Sequence, residues 1–266
     1  MDPLTEAGVA VGKELITKTT FYDDGLRPVV TEAGKALGTL GKTVNLCLAP
    51  LAGVVWGYEK ICAYVEKRVT EKLQSIPPEQ IQTPKANIAV PAIEGIRTVC
   101  DEPILRELYA SLLASSMNKS SASGVHPSFA KAIAELSPDE AKILAVLVKA
   151  NIIPIIDLNE MLSDGRGYVP VITNFSDISW RAGAEYPFMV TTYLENLERL
   201  KIIEMSHTSH LRDESSYTAL EQHIAIQDTI KKHLSDPSRK NFSRRFARLT
   251  SYGAAFCKAC GIEGVS

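Results

Sequence analysis

Apolar positions recur at helical spacing through the middle of the chain. Ile104, Leu105, Leu108, Tyr109, Leu112 and Leu113 share one broad face of a predicted helix. A second helix is predicted from His126-Pro127, because proline suits a first turn whose amides have no partner inside the helix. A third opens at Ser137-Pro138-Asp139-Glu140: Ser137 can accept from an orphan amide, and Glu140 can reach back to the cap. The Ser/Gly tract 120–124 is a loop between the first two. Leu112 and Leu144 are predicted to lie on core faces.

The pattern differs on the N-terminal side. Residues 1–20 suggest a short helix around Leu4, Val9, Val11, Leu15 and Ile16, weakened by Gly8 and Gly12. Residues 44–58 form an apolar run in which only Asn45 is strongly polar, and Pro50 should kink it. As a helix this run is shorter than the ~20 residues a bilayer span requires. Three readings stay open: a buried helix pair, a surface that packs on a partner or on itself, or a membrane-active segment. In the last two, Leu51, Val54, Val55 and Trp56 would form the contact. An amphipathic helix with a charged face follows over 61–73, and Pro77-Pro78 ends it.

On the C-terminal side, 151–157 suggests an extended link or short strand, with Pro154 arguing against a central strand. Asp164-Gly165-Arg166-Gly167 is a turn and a candidate boundary. The remaining residues suggest a winged-helix-like unit. It comprises a helix over 173–183, a helix over 186–200 burying Phe188, Met189, Tyr193, Leu194 and Leu197, and a strand over 201–205. Arg248-Leu249-Thr250 would pair with that strand as a two-stranded wing. The excursion 207–246 is far longer than a hairpin loop and should be largely helical, around Leu220, Ile224, Ile226 and Ile230. The expected fold class is therefore mainly α. An N-terminal helical region occupies 1–76, a central helical core 77–165, and a winged-helix-like unit 166–266.

Charge and cysteine content add to this picture. The net charge of −2 and 45% hydrophobic content suit a globular chain, but eight Lys/Arg against one Asp fall within 231–258. Arg239, Lys240, Arg244, Arg245 and Arg248 form a candidate basic contact surface, set against the plainer reading of a solvated face. The start of the chain lacks the basic, then apolar, pattern of a secretion signal, and five cysteines are an odd number. A reduced, cytoplasmic setting follows as the expectation, with membrane association when active.

Motifs that could carry chemistry have structural readings beside them. Residues 36–43 loosely match a phosphate-binding loop, but no strand precedes them, so a closely packed helix is the simpler reading. His126 and Ser128 could pair as base and nucleophile, yet capping explains His-Pro-Ser-Phe with Phe129 in the core. The carboxylates of Asp101-Glu102 and Asp139-Glu140 fall in first helical turns, where they complement the macrodipole. Cys257 and Cys260 lack a second cysteine pair. A mixed zinc site with His207, His210, His223 or His233 is set against two partly buried thiols one turn apart.

Several of these elements, taken in order, resemble one family. They are Pro91-Ala92-Ile93-Glu94-Gly95, Asp101-Glu102 with Leu105-Arg106-Glu107-Leu108, and Leu112-Leu113-Ala114-Ser115-Ser116-Met117. His126-Pro127-Ser128-Phe129 and Leu136 to Leu144 follow, then Asn196-Leu197-Glu198-Arg199-Leu200 and Leu249-Thr250-Ser251-Tyr252-Gly253, with Phe256 and Cys260. In this order they resemble the bacterial abortive-infection alpha family, over about residues 76–260. One departure is Lys201, where such proteins tend to show glycine after the Arg-Leu pair. The resemblance implies phage defence by abortive infection and supplies no agreed catalytic residues. The expected function is thus non-enzymatic, without cofactor or metal, through protein contact, self-association or membrane contact. The alternative is a nucleic-acid-binding winged-helix regulator.

Overall fold

In a computed structural model the described residues run from 58 to 262. The helix expected in 1–20, the segment 36–43 and the apolar run with Leu51, Val54, Val55 and Trp56 lie outside them. The described residues are mainly α, with one four-stranded sheet.

The N-terminal half is built by α1 (Tyr58–Leu73), α2 (Ala86–Thr98), α3 (Pro103–Met117), α4 (Ser128–Ala134) and α5 (Pro138–Ala150). Helix α3 is the centre: Leu105, Leu108, Tyr109, Leu112 and Leu113 are buried, as their spacing predicts. Helix α1 packs against it with Val65, Val69 and Leu73 buried, and Arg68 and Lys72, beside that apolar stripe, both pair with Glu107. Helix α2 runs through Pro91, which lies exposed in its interior. At α5 the predicted capping box is present: the Glu140 amide donates to Ser137 Oγ, and the Ser137 amide donates to Glu140 Oε2. Both Leu112 and Leu144 are fully buried.

Asn151, at φ 59°, turns α5 into the sheet. The strands are β1 (Ile152–Met161), β2 (Tyr168–Phe175), β3 (Ile203–Met205) and β4 (Lys240–Leu249), all antiparallel in the order β2-β1-β4-β3. β1 is thus a central strand, against the expectation from Pro154. Pairing of β1 with β2 starts only at Ile156, so beside Pro154 only β4 is paired, and the missing amide has an unpaired side to face. The turn at 164–167 joins β1 to β2 within this sheet. Ile153, Ile155, Ile156 and Leu158 are fully buried between the layers on its two faces.

The helix expected over 173–183 is instead the end of β2 followed by the one-turn α6 (Ile178–Arg181). The next helix begins later than its apolar stripe suggests. Pro187 opens a 3-10 turn, and α7 spans Val190–Arg199. Tyr193, Leu194 and Leu197 are buried as predicted, whereas Phe188 and Met189 stay outside the helical stripe and are exposed. The pairing of β3 with the end of β4 matches the predicted register region, with Ile203 opposite Leu249. The sheet it belongs to has four strands rather than two. The excursion between these strands carries α8 (Glu214–Glu221) and α9 (Ile224–His233), whose Tyr217, Leu220, Ile226 and Ile230 are buried. It covers one face of the sheet, and α7 lies over the other. Helix α10 (Ser251–Ala259) closes the fold, capped by Thr250 Oγ1, which accepts from the Gly253 amide. Among the described residues no helix is long and apolar enough to cross a membrane.

Candidate interaction surface and polar cleft

Strand β4 splits the predicted basic surface between two faces, because successive side chains alternate. Lys240, Arg244 and Arg248 share a face, and Arg245 points to the other. The arginines also carry carboxylate partners: Arg239 meets Glu160, Arg244 meets Glu214 and Glu221, Arg245 meets Asp157, and Arg248 meets Glu204. Lys240 is exposed.

Arg245 lies in a polar cleft of about 540 Å³ between the sheet and α7. Register places two residues of β2, Thr173 and Asn174, opposite the single Asp157 of β1, which makes a bulge. Asn174 takes φ 55° there, a left-handed conformation that asparagine tolerates. Its amide donates to Asp157 Oδ1 at 2.8 Å and its Nδ2 to Glu195 Oε1 at 3.0 Å. Arg245 Nη2 donates to Asp157 Oδ1 at 2.6 Å and to Asn174 Oδ1 at 2.7 Å. Glu198 Oε1 accepts from the Met205 amide. The guanidinium is therefore held through Nη2 in a part-buried network, and the carboxylates of α7 give the cleft an acidic wall. That wall repels a phosphate backbone.

A second surface forms around the residues 186–189. Tyr186 is 61% exposed, Phe188 77% and Met189 46%. Two buried groups hold this turn. The Asp139 carboxylate accepts from the amides of Glu185 and Tyr186, from Tyr193 Oη and from Lys142 Nζ, all within 2.9–3.0 Å. Ser179 Oγ donates to the Pro187 carbonyl at 2.8 Å. Burial opposes ionisation of Asp139, but these donors outweigh it and bring its pKa down to about 2. The macrodipole reading therefore covers only part of its role. Trp180 packs edge-on against Phe188 and also against His223, and Phe175 completes the aromatic cluster.

The other candidates resolve into packing. His126 Nδ1 accepts from the Ser128 amide at 3.2 Å, capping α4, and lies 2.7 Å from Ser128 Oγ, which also bonds Tyr252 Oη. Phe129 is buried edge-on to Tyr252 and Phe256. Cys257 and Cys260 are both buried, and burial pushes the Cys257 thiol up to about 12, away from thiolate chemistry at neutral pH. Among the described residues no group of three or more His, Cys, Asp or Glu side chains is placed to hold a metal ion.

The family model described as abortive infection alpha matches residues 57–260. The chain belongs to the abortive infection alpha family. Membership points to a role in abortive infection, a bacterial defence against phage. No curated protein matches the chain. Among solved structures, an uncharacterized protein from the hydrocarbon-degrading marine bacterium Alcanivorax borkumensis SK2 is 16% identical, over 54% of this chain and 96% of that one, with a TM-score of 0.36.

The residues that suggested the abortive-infection family are packing devices. A Cβ on Gly95 would lie 2.2 Å from the Tyr109 ring, and one on Gly253 would lie 1.9 Å from the Ile202 carbonyl oxygen. Asn196 Nδ2 donates to Glu140 Oε1 and to the Glu135 carbonyl, joining α7 to the capping box of α5. Lys201 adopts φ 59° after α7, with the Ile202 amide bonded to the Leu197 carbonyl and its own amide to that of Glu198. This is the Schellman arrangement, which explains why glycine suits the position.

Proposed function

We propose that this protein is a non-enzymatic abortive-infection protein that acts by binding another protein through the turn 186–189. The observation that carries this reading is the pairing of exposure with rigidity. Tyr186, Phe188 and Met189 present large apolar side chains to solvent, while Asp139 and Ser179 fix the backbone beneath them. Apolar anchors that are already ordered lose little entropy on docking, which is the pattern of an interface hot spot. Nucleic-acid binding by a winged-helix-like unit is less well supported. Its recognition helix would be α7, whose Glu195 and Glu198 line the acidic wall of the cleft, and the arginines of β4 are already paired.

The test is phage challenge of cells expressing the wild type, Phe188→Glu or Tyr186→Ala. Protection is expected to fall for the variants while cellular abundance and melting temperature stay at wild-type values. Full protection by both variants would refute the proposal. A second, membrane route through Leu51, Val54, Val55 and Trp56 rests on the apolar run alone. Liposome flotation of the wild type and Val55→Asp addresses it: absence of wild-type binding to anionic vesicles would remove that route.

A further inference from the structure

Beside the turn 186–189 lies a groove of about 520 Å³ between β2 and α9. Val171, Phe175, Trp180 and Val190 supply its apolar lining. Phe188 stands at its lip, with its ring centroid 5.3 Å from that of Trp180, and remains 77% exposed. A protruding aromatic and a recess of mixed apolar and polar lining thus share one surface.

The strand beside this groove is an edge of the sheet, guarded by Pro170 and the bulge at 173–174 rather than by charge. β2 ends the sheet order, and its sequence, Tyr-Val-Pro-Val-Ile-Thr-Asn-Phe, carries no charge. Edge strands are ordinarily guarded by lysines or other charges, by proline or by bulges. Thr191 Oγ1 donates to the Thr173 carbonyl and covers the far end. Tyr168 and Val169, at the near end, are 53% and 52% exposed. Pro170 removes a backbone donor from the middle of this stretch, so docking here relies on side chains rather than on a continued ladder.

The opposite wall is α9, which turns Ala225, Asp228, Thr229 and Lys232 toward the groove. Asp228 and Lys232 sit one helical turn apart, and neither has an ion-pair partner among the described residues. A surface that carries both a knob and its recess, and both signs of charge, is complementary to itself. Such a surface closes across a two-fold axis, where each contact occurs twice.

We infer that a second copy of this chain docks here, forming a symmetric dimer. Phe188 of each copy enters the other's groove, and Asp228 meets the partner's Lys232. The inference rests on the reading of 186–189 as a contact surface and names its occupant. A standard interface takes about 800 Å² from each partner, whereas one aromatic side chain supplies about 150–250 Å². The β2 edge and the α9 wall must therefore be covered together with Phe188.

The experiment is sedimentation velocity and light scattering on the full chain across a concentration series. The wild type is expected at the mass of two chains. Phe188→Glu should shift it to one chain. Asp228→Lys and Lys232→Asp, made singly, should each weaken dimerisation by about tenfold, because each sets like charges against each other. The double variant with both substitutions restores opposite charges across the axis and should recover most of the loss. A wild type with the mass of one chain at every concentration would overturn the inference, as would a Phe188→Glu variant that stays dimeric, or a double variant no better than either single one. If the wild type is monomeric while Phe188→Glu still abolishes phage protection, the dimer is refuted and the contact surface for another protein stands.

Discussion

Replacing Asp139 by asparagine tests how the contact turn is held. The carboxylate is 4% exposed and accepts from the amides of Glu185 and Tyr186, from Tyr193 and from Lys142. Its folded pKa of about 2 lies below the ordinary 3.8, so the folded state favours the ionised form. That difference corresponds to roughly 2 kcal/mol of stability, present above pH 3.8 and lost as pH falls through about 2. Asparagine keeps the shape but points an NH2 group at donors. The amide of Tyr186 and the hydroxyl of Tyr193 share Oδ2, so one orientation leaves both without an acceptor. Each unsatisfied buried group costs about 1–3 kcal/mol, and Lys142 loses its counter-charge. Asp139→Asn is expected to destabilise by about 3 kcal/mol in urea unfolding at neutral pH. The deficit should shrink between pH 4 and pH 2 as the wild-type carboxylate takes up its proton. Amide exchange at Glu185 and Tyr186 should accelerate. A loss below about 0.5 kcal/mol, or a deficit that does not change with acid, would refute this account.

Four further substitutions probe the scaffold. Leu144→Ala should cost roughly 2–5 kcal/mol in denaturant unfolding, since the side chain is fully buried. Ser137→Ala should cost about 1 kcal/mol by the same assay through the lost cap. Gly253→Ala should lower stability by about 1–3 kcal/mol, because its Cβ would overlap the Ile202 carbonyl; a wild-type melting curve would contradict that geometry. Lys201→Gly should raise stability by about 1 kcal/mol in thermal unfolding, by relieving a left-handed lysine.

What the chain order reveals depends on the range of the interactions involved. The Ser137–Glu140 cap was legible because both partners lie within one helical turn. The stripe of α3 was legible for the same reason, resting on local periodicity, whereas β3 and the end of β4 pair across more than 40 residues and were legible only as two short apolar segments. Asp139 looked like a macrodipole residue because its amide and hydroxyl donors come from residues 46 to 54 positions later. Pro154 hid β1, since the lateral offset that frees it from β2 is a property of the folded sheet. Phe188 and Met189 continued the apolar pattern of α7 in sequence, but the 3-10 turn at Pro187 takes them off it. The bulge at Asn174 and the pairing of each arginine on β4 left no signal in composition.

The sheet order also has a consequence for how the chain folds. Its longest pairing joins the first strand to the last, and Arg245 bonds Asp157 across 88 residues of sequence. Closing so wide a loop is slow, and it cannot begin on the ribosome until β4 has emerged. Until then the apolar residues of β1 lack the neighbour that buries them. A nascent chain halted before β4 would therefore be a target for chaperones or aggregation, whereas its helical N-terminal half already has most of its contacts.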